Sequence, residues 1–155
     1  DLENYTEKVL QQLAKCKLDM NTEIQVVMWE RSPHLKKVQK QASKMPFKTE
    51  VKTGVSNMAE LMANADLAIG TTGSTTWERC YLGLPTIQLV ISENQQQVAA
   101  SLDKMKAIKL LEKLEDIIFF IETLEQWFLQ VKENCKVIVH EDGVTLVTDQ
   151  MKLSK

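Results

Sequence analysis

Gly73, Ser74, Thr75 and, one helical turn beyond Ser74, Glu78 are the residues of this chain whose order and spacing suit chemistry. Gly70 and Gly73 bracket a turn that opens into a helix. A helix start leaves backbone N–H groups without intrahelical partners and carries the positive end of the helix dipole, so it is a place for an anion. Glu78 stands on the first or second turn of that helix, a short way beyond a phosphate held at Gly73, Ser74 and Thr75. Its two acceptor oxygens suit the two vicinal hydroxyls of a ribose. Diphosphate on the helix start and ribose on the acid would orient a nucleoside diphosphate with neither metal nor cofactor. The same residues also have plainer uses, because Gly-Ser-Thr before a helix is ordinary capping chemistry and a helical Glu is usually solvated.

The elements around this segment must present it. Asp66-Leu67-Ala68-Ile69 is a short apolar run ending at Gly70, a strand over 66–70. Ser74 or Thr75 caps a helix over 74–82 carrying Trp77, Glu78 and Leu82, and Gly83-Leu84-Pro85 stops it. Thr86-Ile87-Gln88-Leu89-Val90 reads as the next strand. Upstream, Asn4 to Lys15 is an amphipathic helix with Val9, Leu10 and Leu13 on one face. Ile24 to Trp29 is a branched and aromatic strand. Pro33 opens a basic helix through Ala42, Phe47 to Val51 is a strand, and Asn57 to Ala65 is a helix with an Asn57/Glu60 capping-box spacing. Downstream come a helix from Gln95 to Met105 and an edge strand over Ile108 to Leu111. Three further helices are expected: Leu114 to Leu124, Gln126 to Val137 and Val144 to Lys152. Strands alternating with ten-residue helices predict an α/β fold, a Rossmann-like parallel sheet with helices on both faces. Ligands of such sheets bind beyond the carboxyl ends of the strands. The Trp29-Glu30-Arg31, Gly54-Val55-Ser56, Gly70–Ser74 and Ile91–Gln95 loops all fall at that edge.

Composition bounds the rest. A chain of 155 residues, 44% apolar and 26% charged, suits a single domain over 1–155 with a real core. Its net charge is −2 with no basic tract, which gives no support for nucleic-acid binding. No apolar run approaches the roughly 18 to 20 residues of a membrane span, and no signal peptide is evident. Cys16, Cys80 and Cys135 are odd in number and lack metal-ligand spacing, as expected of buried thiols in a reducing cytoplasm.

The run Asn57 to Gly70, then Gly73-Ser74-Thr75-Thr76-Trp77-Glu78-Arg79-Cys80, Gly83-Leu84-Pro85 and Glu93-Asn94-Gln95, resembles the C-terminal nucleotide-binding domain of the UDP-sugar hydrolases of pseudaminic acid biosynthesis. More distantly it resembles the peptidoglycan N-acetylglucosaminyltransferase that makes lipid II. Both have the two-domain glycosyltransferase-B architecture, of which this chain would be the C-terminal half. The resemblance implies that the backbone at Gly73, Ser74 and Thr75 holds the diphosphate of UDP or a UDP-sugar and that Glu78 takes the ribose hydroxyls. It implies that Val55 meets the uracil through backbone hydrogen bonds, and that Asn94 and Gln95 lie in a loop facing the sugar or the interdomain cleft. Thr72 stands where these hydrolases carry a smaller residue, and Gln96 and Gln97 lengthen the Gln run, which leaves the sugar-facing amide open. The chain starts at the first helix, where the fold would begin with a strand and a glycine-rich loop, so either that strand lies upstream or the domain compensates for it; the resemblance also implies an N-terminal domain that supplies the general base.

Other residues are expected to be bland. His34 and His140 have no acid at catalytic spacing, Arg31 follows a strand, and Lys36, Lys37 and Lys40 form a solvated face. Ile117 to Ile121, with Trp127 and Phe128, packs mostly against the sheet, with part facing a missing domain or partner. The expected activity is hydrolytic release of UDP from an activated diacetamido sugar. A glycosyltransferase using the same donor site and a non-catalytic UDP-sugar-binding or docking subunit are the alternatives. No residue here is assigned as catalytic base.

Overall fold

The computed structural model describes residues 3–140, and the helix expected over Val144 to Lys152 lies outside them. The described residues alternate helix and strand, and all strand pairing is parallel. They form two compact units, each with its own sheet. One comprises residues up to Asn57 together with Lys113–Glu122; the other comprises Met58–Glu112 together with the chain from Thr123.

The first unit contains α1 (Tyr5–Leu13), β1 (Glu23–Met28), α2 (Leu35–Ala42) and β2 (Lys48–Thr53). Strands β1 and β2 pair from Glu23↔Lys48 to Met28↔Thr53. Leu10 and Leu13 of α1, Val38 and Ala42 of α2, Val26, Phe47, Ile117 and Ile121 are buried. The expected face of α1 is therefore present, with Val9 at its margin. Helix α2 begins at Leu35 rather than Pro33, because Pro33 is absorbed into turns in which Ser32 N–H donates to Trp29 O and Leu35 N–H donates to Ser32 O. Lys36, Lys37 and Lys40 are exposed as expected, and His34, at the α2 start, is half-buried.

The second unit contains α3 (Met58–Ala63), β3 (Ala68–Thr71), α4 (Ser74–Tyr81), β4 (Thr86–Leu89), α5 (Glu93–Lys104) and β5 (Lys109–Leu110). Its sheet order is β3-β4-β5. The register runs Ala68↔Thr86 to Thr71↔Leu89, and β5 adds to β4 at Ile87↔Lys109. Two helices follow: α6 (Asp116–Glu122), which belongs to the first unit and packs on α1, and α7 (Leu124–His140), which packs on α4. Cys80, Ala99, Leu102, Ala107, Ile108, Cys135 and Ile138 form the core of the second unit, flanked by Trp77, Val90 and Val98. The apolar run after Leu114 splits as its helical spacing dictates: Ile117 and Ile121 are buried and Phe119 stays 62% exposed. Among the described residues no helix is long and apolar enough to cross a membrane.

Candidate functional site

The edge that matters in the second unit lies at the carboxyl ends of β3 and β4. Strand β3 runs one residue further than the sequence suggests, through Gly70 to Thr71. Gly70 is therefore part of the strand and not a corner of the turn. It is small for another reason: a Cβ there would run into Nη1 of Arg79. Thr72 N–H donates to Leu89 O at 3.1 Å and so carries the ladder one step past the strand. Gly73 then sits at the N-cap of α4 with extended backbone, φ 173° and ψ −162°.

The expected cap at Ser74 or Thr75 is not the one formed. Thr76, three residues into the helix from the cap, reaches back so that Gly73 N–H donates to its Oγ1 at 3.1 Å. A cap glycine has no side chain to offer, so the cap is made from inside the helix. Ser74 stays exposed and Thr75 half-buried, and among the described residues their N–H groups meet no protein acceptor. The helix start presents two free donors together with its dipole. Glu78 is exposed and four residues beyond Ser74, so both lie on the same helix face, one turn apart. The other end closes as expected, with Gly83 at φ +64°.

The opposite face of α4 is buried and polar. Thr76, Arg79 and Cys80 point inward, at 1%, 7% and 2% exposure. Arg79 Nη2 donates to Thr71 O at 2.9 Å and to Thr76 Oγ1 at 3.3 Å. Gln88, fully buried in β4, donates through Nε2 to Thr76 Oγ1 at 3.2 Å and accepts at Oε1 from the Thr72 hydroxyl at 3.0 Å. Thr72, Gly73, Thr76, Arg79 and Gln88 thus form one network beneath the turn. The larger Thr72 is directed into the sheet, tying the turn to β4. Burial pushes the Arg79 guanidinium below its usual range, while the nearby Cys80 thiol and Glu78 carboxyl act the other way. The sequence held two signals for this network that its reading passed over: a Gln inside an otherwise apolar strand, and an Arg on the helix face that must be buried.

The loop expected at Asn94 and Gln95 is not formed, and the helix expected from Gln95 starts two residues earlier. Helix α5 begins at Glu93, with Ser92 in extended backbone as its cap residue, so both occupy the first turn. Ser92-Glu93-Asn94-Gln95 has capping-box spacing, and Glu93 suits the positive helix end. Ser92 Oγ donates to Asn94 Oδ1 at 2.6 Å, and Ile91 N–H donates to Gln95 Oε1 at 3.4 Å. The side-chain oxygens of both are used locally, while among the described residues their NH2 groups meet no acceptor. Asn94, Gln96 and Gln97 are exposed, and Gln95 is half-buried.

In the first unit, the carboxyl edge of β1 and β2 carries Trp29, Glu30, Gly54 and Val55. The Glu30 carboxylate lies 3.7 Å from where a Gly54 Cβ would be, and Gly54 holds φ +60°. Trp29 is 68% exposed and Val55 half-buried. Gly73, Ser74, Thr75, Glu78, Asn94 and Gln95 therefore share the edge of one sheet, and Val55 stands at the edge of the other.

A model of the "Glycosyltransferase family 28 C-terminal domain" matches residues 2–140. An uncharacterized protein of Methanocaldococcus jannaschii, MJ1062, is 35% identical over 100 residues, which are 63% of this chain and 20% of that protein. The chain therefore spans about a fifth of that relative's length. The crystal structure of Anabaena Alr3699/HepE in complex with UDP-glucose matches with a TM-score of 0.66 at 15% identity, over 94% of this chain and 43% of that one. The likeness is one of fold, the C-terminal half of the glycosyltransferase-B architecture. With parallel strands, a helix-start turn at the sheet edge and a family match running through every described element, the chain belongs to the glycosyltransferase family 28 C-terminal domain family.

Proposed function

We propose that this chain is the UDP-binding domain of an enzyme that cleaves a nucleotide-activated sugar with water and releases UDP, in surface polysaccharide or nonulosonic acid biosynthesis. The observation that carries the reading is the start of α4: two N–H groups without protein acceptors, at Ser74 and Thr75, and an exposed carboxylate on the same face one turn later. The diphosphate takes Gly73, Ser74 and Thr75, the ribose takes Glu78, and the NH2 groups of Asn94 and Gln95 are donors for the sugar. The helix-start donors stabilise the charge that develops on the departing diphosphate, since they meet it already oriented. The general base belongs to a facing N-terminal domain. The UDP-glucose in the HepE structure is in keeping with such a ligand.

The glycosyltransferase reading has one observation of its own, the family match, and uses the same donor site with a sugar or lipid acceptor. Titration with UDP while following backbone amides by NMR tests the ligand. UDP is expected to move Gly73, Ser74, Thr75 and Glu78 together. Shifts confined to other residues overturn the assignment. In a protein that includes the facing domain, 18O from water in the released sugar identifies the hydrolase, and transfer of the sugar to an acceptor identifies the transferase.

A further inference from the structure

Arg79 is a buried cation that the sequence motif leaves without a task. It is 7% exposed, and among the described residues no carboxylate lies within ion-pair distance of it. Its Nε is buried and meets no acceptor among the described residues. An Arg placed in a protein interior normally brings its acid with it, because a guanidinium taken out of water without a counter-charge is costly. Helical side chains lean toward the N-terminus of their helix, so the long side chain of Arg79 runs back under the first turn of α4. There its Nη2 meets Thr71 O and Thr76 Oγ1, the same hydroxyl that accepts Gly73 N–H. Its Nη1 lies against Gly70, where a Cβ would crowd it. The positive charge is thus held within one hydrogen-bonded residue of the turn where Ser74 and Thr75 offer free N–H groups.

We propose that Arg79 is a positioning residue for the anion at the α4 start: it clamps the Thr71–Gly73 turn from beneath through Thr71 O and Thr76 Oγ1, and its positive charge, which has no carboxylate within ion-pair distance among the described residues, is balanced by a diphosphate above. The inference rests on the diphosphate reading of the turn and adds the residue that sets its strength. Protein and ligand complete one another electrostatically, and the buried charge without an acid is the mark of it. Arg79 shapes and charges the site through the turn and does not touch the ligand.

Calorimetric titrations of the full chain with UDP, inorganic pyrophosphate and uridine separate charge from shape. Arg79→Met should weaken UDP and pyrophosphate by roughly tenfold or more while leaving uridine within about twofold, because only the anions feel the lost charge. Arg79→Lys keeps the charge without the fork and should recover much of that loss. An equal loss for UDP and uridine overturns the proposal, since that is what mere deformation of the domain does. So does unchanged affinity for all three. The wild-type chain gives a readout that does not depend on a variant folding: the Arg79 Nε–H resonance should shift with UDP and pyrophosphate and stay still with uridine. If Gly73 and Ser74 amides respond to UDP while Arg79 Nε–H does not, the role of Arg79 fails and the diphosphate site stands. If neither responds, both fall.

Discussion

Replacing Thr76 by Val isolates the network under the turn, because the two side chains have the same branched shape and differ by one hydroxyl. Thr76 is 1% exposed, so no water replaces the lost oxygen. Three donors face it: Gly73 N at 3.1 Å, Gln88 Nε2 at 3.2 Å and Arg79 Nη2 at 3.3 Å. Gly73 is exposed and its N–H can turn to solvent. Arg79 Nη2 keeps Thr71 O at 2.9 Å. Gln88 is fully buried, and its NH2 has no other acceptor among the hydrogen bonds of the network. The loss is therefore dominated by one fully buried orphan donor, with a smaller share from Arg79, and amounts to about 2–3 kcal/mol. Thr76→Ser keeps the oxygen and removes a methyl group, for about 1 kcal/mol. Urea unfolding at constant m-value measures both. If Val is within about 0.5 kcal/mol of wild type, or is tolerated better than Ser, the hydroxyl is not the hub that the distances describe.

Gly70, at the end of β3, and Gly73, in the turn, should respond differently. Gly70→Ala drives a methyl group into the buried Arg79 guanidinium and should destabilise by about 1–3 kcal/mol. Gly73→Ala meets nothing within 4 Å in a backbone conformation open to any residue, so thermal unfolding should place it near wild type. The thiol of Cys16 carries a pH dependence. Burial first, and then the Glu122 charge, raise its pKa above the ordinary 9.0, so the folded chain keeps a proton that the unfolded chain releases. Its contribution is full below that value and is lost as pH rises from there toward the raised folded value. Urea midpoints should thus fall between pH 8 and pH 10, and fall less in Cys16→Ala; equal falls in the two proteins refute the assignment.

The alternation of helix and strand was legible because each element has its own local signature: the 3.6-residue spacing of Leu10 and Leu13, the branched run of β1, the Gly83 stop after α4. Boundaries slipped where a neighbour distant in sequence decides them. Gly70 reads as a turn residue until Arg79, nine positions on, is seen against it. Strand β3 extends to Thr71 because Leu89 of β4 supplies the ladder partner. The α5 start was legible in principle, since Ser92 and Gln95 have capping-box spacing, but the polar run hid it. Of the candidate site, the amides of Ser74 and Thr75 and the face of Glu78 follow from helical geometry alone. The inward network does not, because burial of Thr76, Arg79 and Gln88 depends on which face of α4 the sheet and α7 cover. Asn94 shifted from loop to helix, and the helix expected from Gln95 gained two residues, for a similar reason: a helix start is decided by a single residue, Ser92, adopting extended backbone.

Diphosphate on the α4 start and ribose on Glu78 beside it are tested together by calorimetry of UDP and pyrophosphate against wild type and Glu78→Ala. Loss of a charge-assisted contact should weaken UDP by about 1.5–3 kcal/mol. Pyrophosphate, which has no ribose, should bind Glu78→Ala as well as wild type or better, because a nearby negative charge is gone. Unchanged UDP affinity in Glu78→Ala, with the fold intact, contradicts the ribose assignment and with it the orientation proposed for the nucleotide.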